Sequence, residues 1–390
     1  MIHIERKEDC CGCTACKSVC RIRAIHLEPD EEGYLYPQFD LEKCIDCHLC
    51  EKVCPVLFRK QSSIQKAPLS IYATRQKDQI ILKESSSGGI FTALAQYVLN
   101  KNGVVVGATY DEKMVVHHII VNNINNLQKL RGSKYVQSDI QGIFQVLKKH
   151  LDEGVLVLFS GTPCQVEGLY LFLRKKYTNL ITIDIVCHAV GSPKLFKEYI
   201  EYLENKLKNR VTWINMRDKD NYGWGHRFSQ RVWTENGKSY SEKNGIFPWW
   251  TIYYSNMANR PSCHECKFTN FSRPGDFSIA DFWDDKHQRS DIYSNKGTSL
   301  CLINSVVGLK IFDVIKDNIY YWEVTKEQAW QPCLEFPTPR SSKRLQFWGY
   351  YHKNGLEQSY RHFLYIPKAT RLKWKIKDTI AKWIGYGKKN

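Results

Sequence analysis

The sequence contains no long apolar run and no leader-like segment at its N-terminus. No stretch of about 18 consecutive apolar residues occurs among the 390 residues, so no transmembrane helix is expected. The first residues lack the apolar core of a secretory signal peptide, so we expect a soluble protein of the cytoplasm. Because that compartment is reducing, the 15 cysteines are poor candidates for disulfides and good candidates for metal ligands.

The sequence also lacks a compact motif of basic and aromatic residues of the kind that recognises nucleic acid. Its net charge of +16 would favour binding to nucleic acid, to anionic lipid or to an acidic partner, and the charge alone does not distinguish these partners. Nucleic acid is therefore not expected as a partner and stays the least favoured class. A hydrophobic fraction of 43% excludes a wholly disordered chain.

The positive charge is concentrated towards the C-terminus. Residues 365–390 contain eight basic side chains and one acidic side chain, whereas residues 1–60 contain nine basic and eleven acidic ones. From Pro367 onward apolar residues recur at helical spacing, which predicts a basic amphipathic helix. Such a helix can lie on an anionic membrane surface or dock on the protein or a partner, and both interpretations stay open. The apolar stripe consists of Leu372, Ile376, Ile380, Trp383 and Ile384.

The strongest signal is a cysteine pattern that occurs twice. Each copy has the spacing C-x2-C-x2-C-x3-C, and the second copy begins 34 residues after the first. In ferredoxins with two clusters, three cysteines of one copy bind one [4Fe–4S] cluster and the fourth binds the other cluster. The pattern therefore predicts a bacterial-type ferredoxin module with two clusters. One cluster is assigned to Cys10, Cys13, Cys16 and Cys54, and the other to Cys44, Cys47, Cys50 and Cys20.

Other features near these cysteines have simpler interpretations. Zinc sites made of four thiolates usually show two CxxC pairs, so zinc is the weaker alternative. Cys11 is surplus to both sets and is interpreted as a packed or exposed thiol, and Arg21 stands where a proline is common. The acidic run at 30–33 predicts a solvated hairpin turn.

After the cysteine-rich module the hydrophobic pattern becomes that of an α/β protein. We interpret 1–60 as the ferredoxin domain, 61–70 as a polar linker, 71–310 as a catalytic body and 311–390 as a C-terminal extension. Buried-strand patterns alternate with helical patterns in the body, which predicts a mainly parallel sheet covered on both faces. The expected fold class is α+β or α/β. The strand patterns lie at 103–110, 155–160 and 180–186, and the helical patterns at 89–100, 140–151, 163–176 and 193–208.

Two loops of the body are candidates for binding an anionic group. The first leads into the helical pattern at 89–100 and offers backbone N–H groups to a phosphate, with a plain helix cap as the alternative. The second places Cys164 at a helix N-terminus, where a thiolate is favoured. The first loop is formed by Ser85, Ser86, Ser87, Gly88 and Gly89, and the second by Gly161, Thr162 and Pro163.

Taken in order, these motifs resemble the coenzyme F-420 hydrogenase/dehydrogenase beta-subunit family, from about residue 5 to 310. The resemblance implies FAD and a third [4Fe–4S] cluster in the body. The ligands of that cluster would be Cys164, Cys187, Cys263 and Cys266, and simple burial of the first two stays an alternative. The implied flavin contacts are the loop 85–89, Lys134, Thr162, Lys296 and Gly297. The matching segments are 33–37, 85–89, 132–137, 161–165, 187–188, 263–266, 281–283 and 296–299, beside the ferredoxin module.

These cofactors suggest an oxidoreductase, because a flavin takes up a hydride and releases single electrons while a cluster carries one electron. The leading hypothesis is an enzyme that transfers electrons between a deazaflavin or an organic substrate and a ferredoxin-like carrier. The alternative is an electron-transfer subunit without a substrate of its own, which serves a partner oxidoreductase. Ala189 and Ala280 stand where the family often has glycine, which leaves the substrate open. No catalytic acid or base is assigned.

Overall fold

The computed structural model describes residues 2–61, 67–220, 223–225, 230–283, 289 and 291–365. The amphipathic helix predicted from Pro367 onward lies outside these residues, as does half of the predicted linker, 62–66. Within the described ranges, no helix combines the length and the apolar composition needed to cross a membrane.

The N-terminal module is built around a short antiparallel hairpin. Its turn is closed by Asp30, whose backbone N–H donates to Tyr34 O (2.9 Å), and by Gly33, which adopts a positive φ of 83°. The turn is not solvated as predicted, because Glu32 is buried and pairs with Arg344. The elements are α1 (Ala15–Val19), β1 (Ile25–Pro29), β2 (Leu35–Phe39), α2 (Leu49–Lys52) and α3 (Pro55–Gln61).

The strands and helices predicted for the body are present. The strands are β3 (Ser70–Gln76), β4 (Val104–Tyr110), β5 (Val116–Val121), β6 (Val157–Gly161), β7 (Leu180–Ile185), β8 (Val211–Asn215), β9 (Arg231–Thr234), β10 (Ser239–Ser241), β11 (Phe277–Asp281), β12 (Ser299–Ile303) and β13 (Ile319–Glu323). The helices are α4 (Gln79–Glu84), α5 (Ile90–Leu99), α6 (Ile143–Asp152), α7 (Pro163–Leu173), α8 (Pro193–Leu207), α9 (Trp249–Tyr253), α10 (Val306–Ile315), α11 (Lys326–Ala329) and α12 (Arg344–Ser359).

The main sheet of the described residues has eight strands in the order β13-β3-β12-β11-β7-β6-β4-β5. Only its centre, β11-β7-β6-β4, is parallel, and the remaining neighbours pair antiparallel. The prediction of a mainly parallel sheet was therefore wrong, since β5 returns directly from β4 as a hairpin. The sheet also passes the predicted domain boundary at residue 310, because β13 pairs with β3.

Helices cover both faces of this sheet, and the N-terminal module joins one of them. On the first face α5 and α10 form a core with the strands. On the second face α6 and α7 form a core that includes Cys13, Ala15, Val19 and Val53 of the module. The module is therefore packed into the body rather than tethered to it. A smaller sheet in the order β10-β9-β8 packs with α8, α9 and α12 over a separate aromatic core.

Candidate iron–sulfur sites and cofactor cavity

The two cysteine loops of the module share one backbone conformation. The residues two and four positions after the first cysteine of each loop have positive φ: Gly12 (71°) and Thr14 (61°) in one, Asp46 (49°) and His48 (58°) in the other. Positive φ is uncommon for residues other than glycine, and such conformations cluster at functional sites. Its recurrence at equivalent positions therefore indicates that both loops have a specific function. Both loops therefore have a conformation consistent with three thiolates surrounding one iron–sulfur cluster.

The inner set, defined as Cys10, Cys13, Cys16 and Cys54, lies against the body. Cys13 and Cys54 are buried. Burial raises the pKa of Cys16 above its usual range, and the nearby Cys10 and Cys54 thiols raise it further. Cys54, which belongs to the second sequence copy, thus lies beside the first copy, as the assigned ligand exchange requires.

The outer set, defined as Cys20, Cys44, Cys47 and Cys50, lies on the side of the module that faces solvent. Cys47 is exposed. Cys50 is buried beneath the N-terminal segment of the chain, where Ile2 N donates to its Sγ (3.3 Å). Leu41 and Ile45 are 70% and 71% exposed on this side. The outer set is therefore the more accessible of the two to another protein.

The four cysteines assigned to the third cluster, here the body set, come together in the structure. They are Cys164, Cys187, Cys263 and Cys266, and they line a cavity of about 50 Å³. Cys164 is at the N-terminus of α7, Cys187 follows β7, and the other two belong to or follow a 3-10 turn at Pro261–Glu265. Burial raises the pKa of Cys263 to about 12 and that of Cys266 to about 11. Metal binding would have to displace these protons, because the thiolate is the ligand.

No three His, Cys, Asp or Glu side chains within the described ranges converge closely enough to hold a single metal ion. A [4Fe–4S] cluster makes a different demand, since each of its four thiolates binds a separate iron. The chemistry of the donor sets, which consist of thiols alone, fits iron–sulfur clusters.

One further cysteine lines this cavity and another lies beside it, and neither was assigned to it from the sequence. Cys11 lines the cavity, and its thiol interacts with the thiols of Cys13 of the inner set and Cys164 of the body set. Cys333 Sγ lies 3.9 Å from Nδ1 of His188. Cys11 is therefore a packed thiol between two cysteine sets. Its position depends on how the module docks, which the spacing in the sequence does not reveal.

The polar cavity, a second space of about 490 Å³, lies on the other side of the segment 132–137. Its volume is typical of small-molecule sites. Lys134 is 7% exposed there, and its Nζ donates to Arg131 O (2.8 Å) and lies 5.9 Å from the ring of Trp213. Burial lowers the pKa of Lys134 to about 7. The wall includes basic, acidic, hydroxyl and indole side chains, namely Lys83, Glu84, Lys129, Arg131, Ser133, Trp213, Asp218, Asp220 and Trp233.

The loop 85–89 meets this cavity through one residue. Ser86 Oγ accepts from Ser133 N (2.8 Å), whereas Ser85 Oγ donates to Ile81 O (2.7 Å) and Ser87 Oγ to Thr298 O (2.9 Å). Gly88 N already donates to Ser299 Oγ (2.8 Å). The backbone donor at Gly88 is therefore engaged inside the protein and is not directed at a ligand.

The other predicted flavin contacts are divided between different places. Thr162 lies at the thiol cavity, with its Oγ1 3.1 Å from Cys164 Sγ. Lys296 is on the surface and donates to Gln79 Oε1 (2.7 Å), and Gly297 packs against Ser87. Lys219, which the sequence analysis missed, donates to Leu82 O, Ser87 O and Lys296 O. It therefore ties the 85–89 loop to the 296–299 segment. The sequence around Lys219, after residue 211, has only weak periodicity and offers no motif that would indicate this role.

Gly88 carries a prediction for this site. A Cβ at Gly88 would lie 2.3 Å from Thr74 O and 2.5 Å from Ser299 N, between β3 and β12. Gly88→Val should therefore disrupt strand pairing and destabilise the whole chain by several kcal/mol, in the upper range for a single substitution. Thermal unfolding measures this effect. Gly349→Val is the control, because nothing lies within 4 Å of a Cβ there and, as at Gly88, the backbone φ is not positive. Normal stability with selective loss of flavin would instead point to a phosphate site at Gly88.

Family models match most of the chain. The model of the coenzyme F420 hydrogenase/dehydrogenase beta subunit matches with its N-terminal part at residues 71–145 and with its C-terminal part at residues 155–329. A 4Fe-4S dicluster domain matches at residues 9–57. No curated protein matches the chain. Among solved structures, a chain of the F420-reducing [NiFe] hydrogenase complex from Methanosarcina barkeri, studied by xenon derivatization, is 20% identical. That match covers 67% of this chain and 84% of the other, with a TM-score of 0.46.

Proposed function

Because this chain belongs to the coenzyme F420 hydrogenase/dehydrogenase beta-subunit family, with a 4Fe-4S dicluster domain at its N-terminus, we propose that it is an iron–sulfur flavoprotein oxidoreductase. It would transfer electrons between a hydride-type substrate, a deazaflavin or another organic molecule, and a one-electron carrier or partner subunit. Bound FAD would exchange hydride for single electrons, and the clusters would carry these one at a time.

The observation that carries the proposal is the course of the segment 132–137 between the two cavities. Lys134 lines the polar cavity, and Gln137 lines the thiol cavity, where its Nε2 donates to Cys11 O (3.1 Å). Between them, the ring of Tyr135 lies 4.8 Å from that of Tyr253, which lies 5.4 Å from the ring of His188 at the thiol cavity. The rings of Tyr135 and Tyr253 thus lead from the segment that borders the polar cavity to His188 at the thiol cavity.

The residues of the polar cavity suit a flavin in two respects. Lys134 and Arg131 offer cationic groups for phosphate or ring oxygens, and the Trp213 and Trp233 rings offer surfaces for a planar group. Asp218 is held by Arg231 (3.0 Å), so its charge is partly offset at the cavity wall. The chain's own part in the chemistry is to bind the ring system, to orient it towards Tyr135 and to limit the access of water.

The function is tested with the full chain after anaerobic reconstitution with iron, sulfide and FAD. We expect about one FAD per chain and reduction of a viologen dye on addition of a reduced deazaflavin. A chain that retains FAD but reacts only when a partner oxidoreductase is added would favour the electron-transfer subunit. The exposed outer set, flanked by Leu41 and Ile45, supports that alternative. Failure to retain any flavin would contradict the proposal.

Lys134 predicts a pH dependence of FAD binding. Burial holds its pKa near 7, so the side chain is charged below that pH and increasingly neutral above it. An anionic ligand stabilises the charged form, so the affinity for FAD should fall as the pH rises from 6 to 8. Lys134→Met should weaken binding about tenfold at pH 6, equivalent to about 1.4 kcal/mol, and should remove this pH dependence.

Equilibrium titration of the flavin-free chain with FAD measures both effects. Lys101→Met is the matched control, because Lys101 is an exposed lysine that lies 5.0 Å from the ring of Tyr97, outside the cavity. An Lys134→Met variant that binds FAD like the parent at both pH values would place the flavin away from Lys134.

A further inference from the structure

Arg260 is a buried cation at the boundary between the N-terminal module and the body. Its side chain is fully buried. Among the described residues no carboxylate pairs with its guanidinium, although buried charges in proteins are normally paired. Its hydrogen bonds go instead to neutral acceptors and to one sulfur: Cys10 O (2.8 Å), Gln137 Oε1 (2.7 Å), Leu35 O (3.0 Å) and Cys10 Sγ (3.5 Å).

Within the part of the chain that the structure describes, the surroundings of Arg260 provide π-electron density but no carboxylate. The guanidinium lies 4.5 Å from the ring of Tyr36 and 5.3 Å from that of Tyr34. The groups able to carry a full negative charge beside it are thiols, and Cys10 Sγ is the one that accepts a hydrogen bond from it. Cys10 belongs to the inner set, so the missing counter-charge would be present whenever that set holds a cluster through thiolates.

Arg260 also begins the segment that carries two cysteines of the body set. Cys263 N donates to Arg260 O (3.0 Å) as the 3-10 turn starts. A Cβ at Gly12 would lie 2.7 Å from the Arg260 Nη1, so a glycine at this position lets the module approach the guanidinium closely. Arg260 therefore contacts the inner cysteine loop through its side chain and the body set through its backbone carbonyl.

We propose that Arg260 is a positioning residue that raises the reduction potential of the inner cluster relative to the outer one. A positive charge and an N–H···S hydrogen bond both stabilise the more negative, reduced state of a cluster, and both are named determinants of cluster potential. The outer set receives an N–H···S hydrogen bond from an uncharged donor, Ile2 N to Cys50 Sγ (3.3 Å), and within the described residues no charged group donates to an outer-set sulfur. Electrons that enter at the outer cluster would then reside preferentially on the inner cluster, next to the body.

The proposal is tested by redox titration of the full, iron-replete chain, followed by electron paramagnetic resonance. Arg260→Gln should lower the midpoint potential of one cluster by about 59 mV, a tenfold change in the ratio of reduced to oxidised cluster for a one-electron couple. Arg260→Lys keeps the charge but loses the planar fork, so it should give a smaller shift in the same direction. The measurement needs neither flavin nor substrate, and its outcome is separate from that of the proposed function.

Arg21→Gln is the matched control. Arg21 is exposed and directly follows Cys20 of the outer set, so removing its charge should change the potentials little because water screens it. Gln137→Glu covers the case in which Arg260→Gln loses iron. The new carboxylate would accept the hydrogen bond that Arg260 now donates to Gln137 and would offset the positive charge of Arg260. The midpoint potential of the inner cluster should therefore also fall. Iron-replete Arg260→Lys and Gln137→Glu proteins with unchanged midpoints would overturn the proposal.

Discussion

Iron analysis of the fully loaded chain is expected to give about twelve iron atoms, from three clusters of four. Cys263→Ala should lower this number by about four, because Cys263 lines the thiol cavity with the other cysteines of the body set. Cys301→Ala is the matched control. Cys301 is fully buried within β12, in the core beside α5 and α10, so its removal should leave all twelve irons in place.

Cys11→Ala tests whether Cys11 is a ligand of the third cluster in place of a cysteine of the body set. The Cys11 thiol also lines this cavity and interacts with the Cys164 thiol. Twelve irons in Cys11→Ala would assign the cluster to Cys164, Cys187, Cys263 and Cys266, as the family resemblance implies. Eight irons in that variant would show that Cys11 is a ligand, and eight irons in the parent chain would exclude a third cluster.

Arg273→Leu is expected to destabilise the folded chain by about 3–5 kcal/mol, the usual effect of leaving a buried charge without its partner. The side chains of Arg273 and Asp184 are 1% and 0% exposed, and Arg273 Nε donates to Asp184 Oδ1 (2.9 Å). Arg273 Nη1 also donates to Phe268 O (2.6 Å), which connects the end of β7 to the loop that follows Cys266. Urea unfolding under anaerobic conditions, followed by circular dichroism, measures the change in free energy of unfolding.

Arg361→Leu provides the comparison for Arg273→Leu. Arg361 pairs with Glu357 one helical turn away (2.7 Å), and both side chains are largely exposed. Exposed pairs of this kind contribute little to stability, because water screens the two charges. Equal, small losses of stability in the two variants would contradict the role given to the buried pair. Iron content below that of the parent in Arg273→Leu alone would show that the pair also supports Cys266.

The parts of the fold that were predictable from sequence are those with a local pattern. The module was predictable from the repeated cysteine spacing. Helix α7 was predictable because Pro163 stands at its first position, after Thr162, whose N–H donates to Gln165 Oε1 (2.9 Å). The antiparallel strands β12 and β13 were missed because pairing partners distant in sequence leave no periodic signal. Their partner β3 lies more than 200 residues earlier in the chain.

The candidate site likewise contains residues that were predictable from sequence and residues that were not. Cysteines are recognisable by spacing, and their grouping follows from ferredoxin geometry and from the family resemblance. Arg260 was not recognisable, because a single buried arginine has no pattern and its meaning depends on contact with a loop 250 residues away. The loop 85–89 was over-interpreted for a similar reason. Its glycine is explained by the close approach of Thr74 and Ser299, and such crowding is visible only in three dimensions.

The shared core of the N-terminal module and α7 also has a consequence for synthesis. The ribosome makes residues 1–60 first, but Val19 and Val53 of the module pack against Val166, Leu169 and other residues of α7. At about 5–20 residues per second, α7 follows the module by roughly 6–24 s. During that interval the apolar face of the nascent module is uncovered, and iron bound by its own thiolates is the main source of order available to it. Delivery of clusters to the growing chain, before the body folds over the inner set, is therefore the order of assembly that this architecture favours.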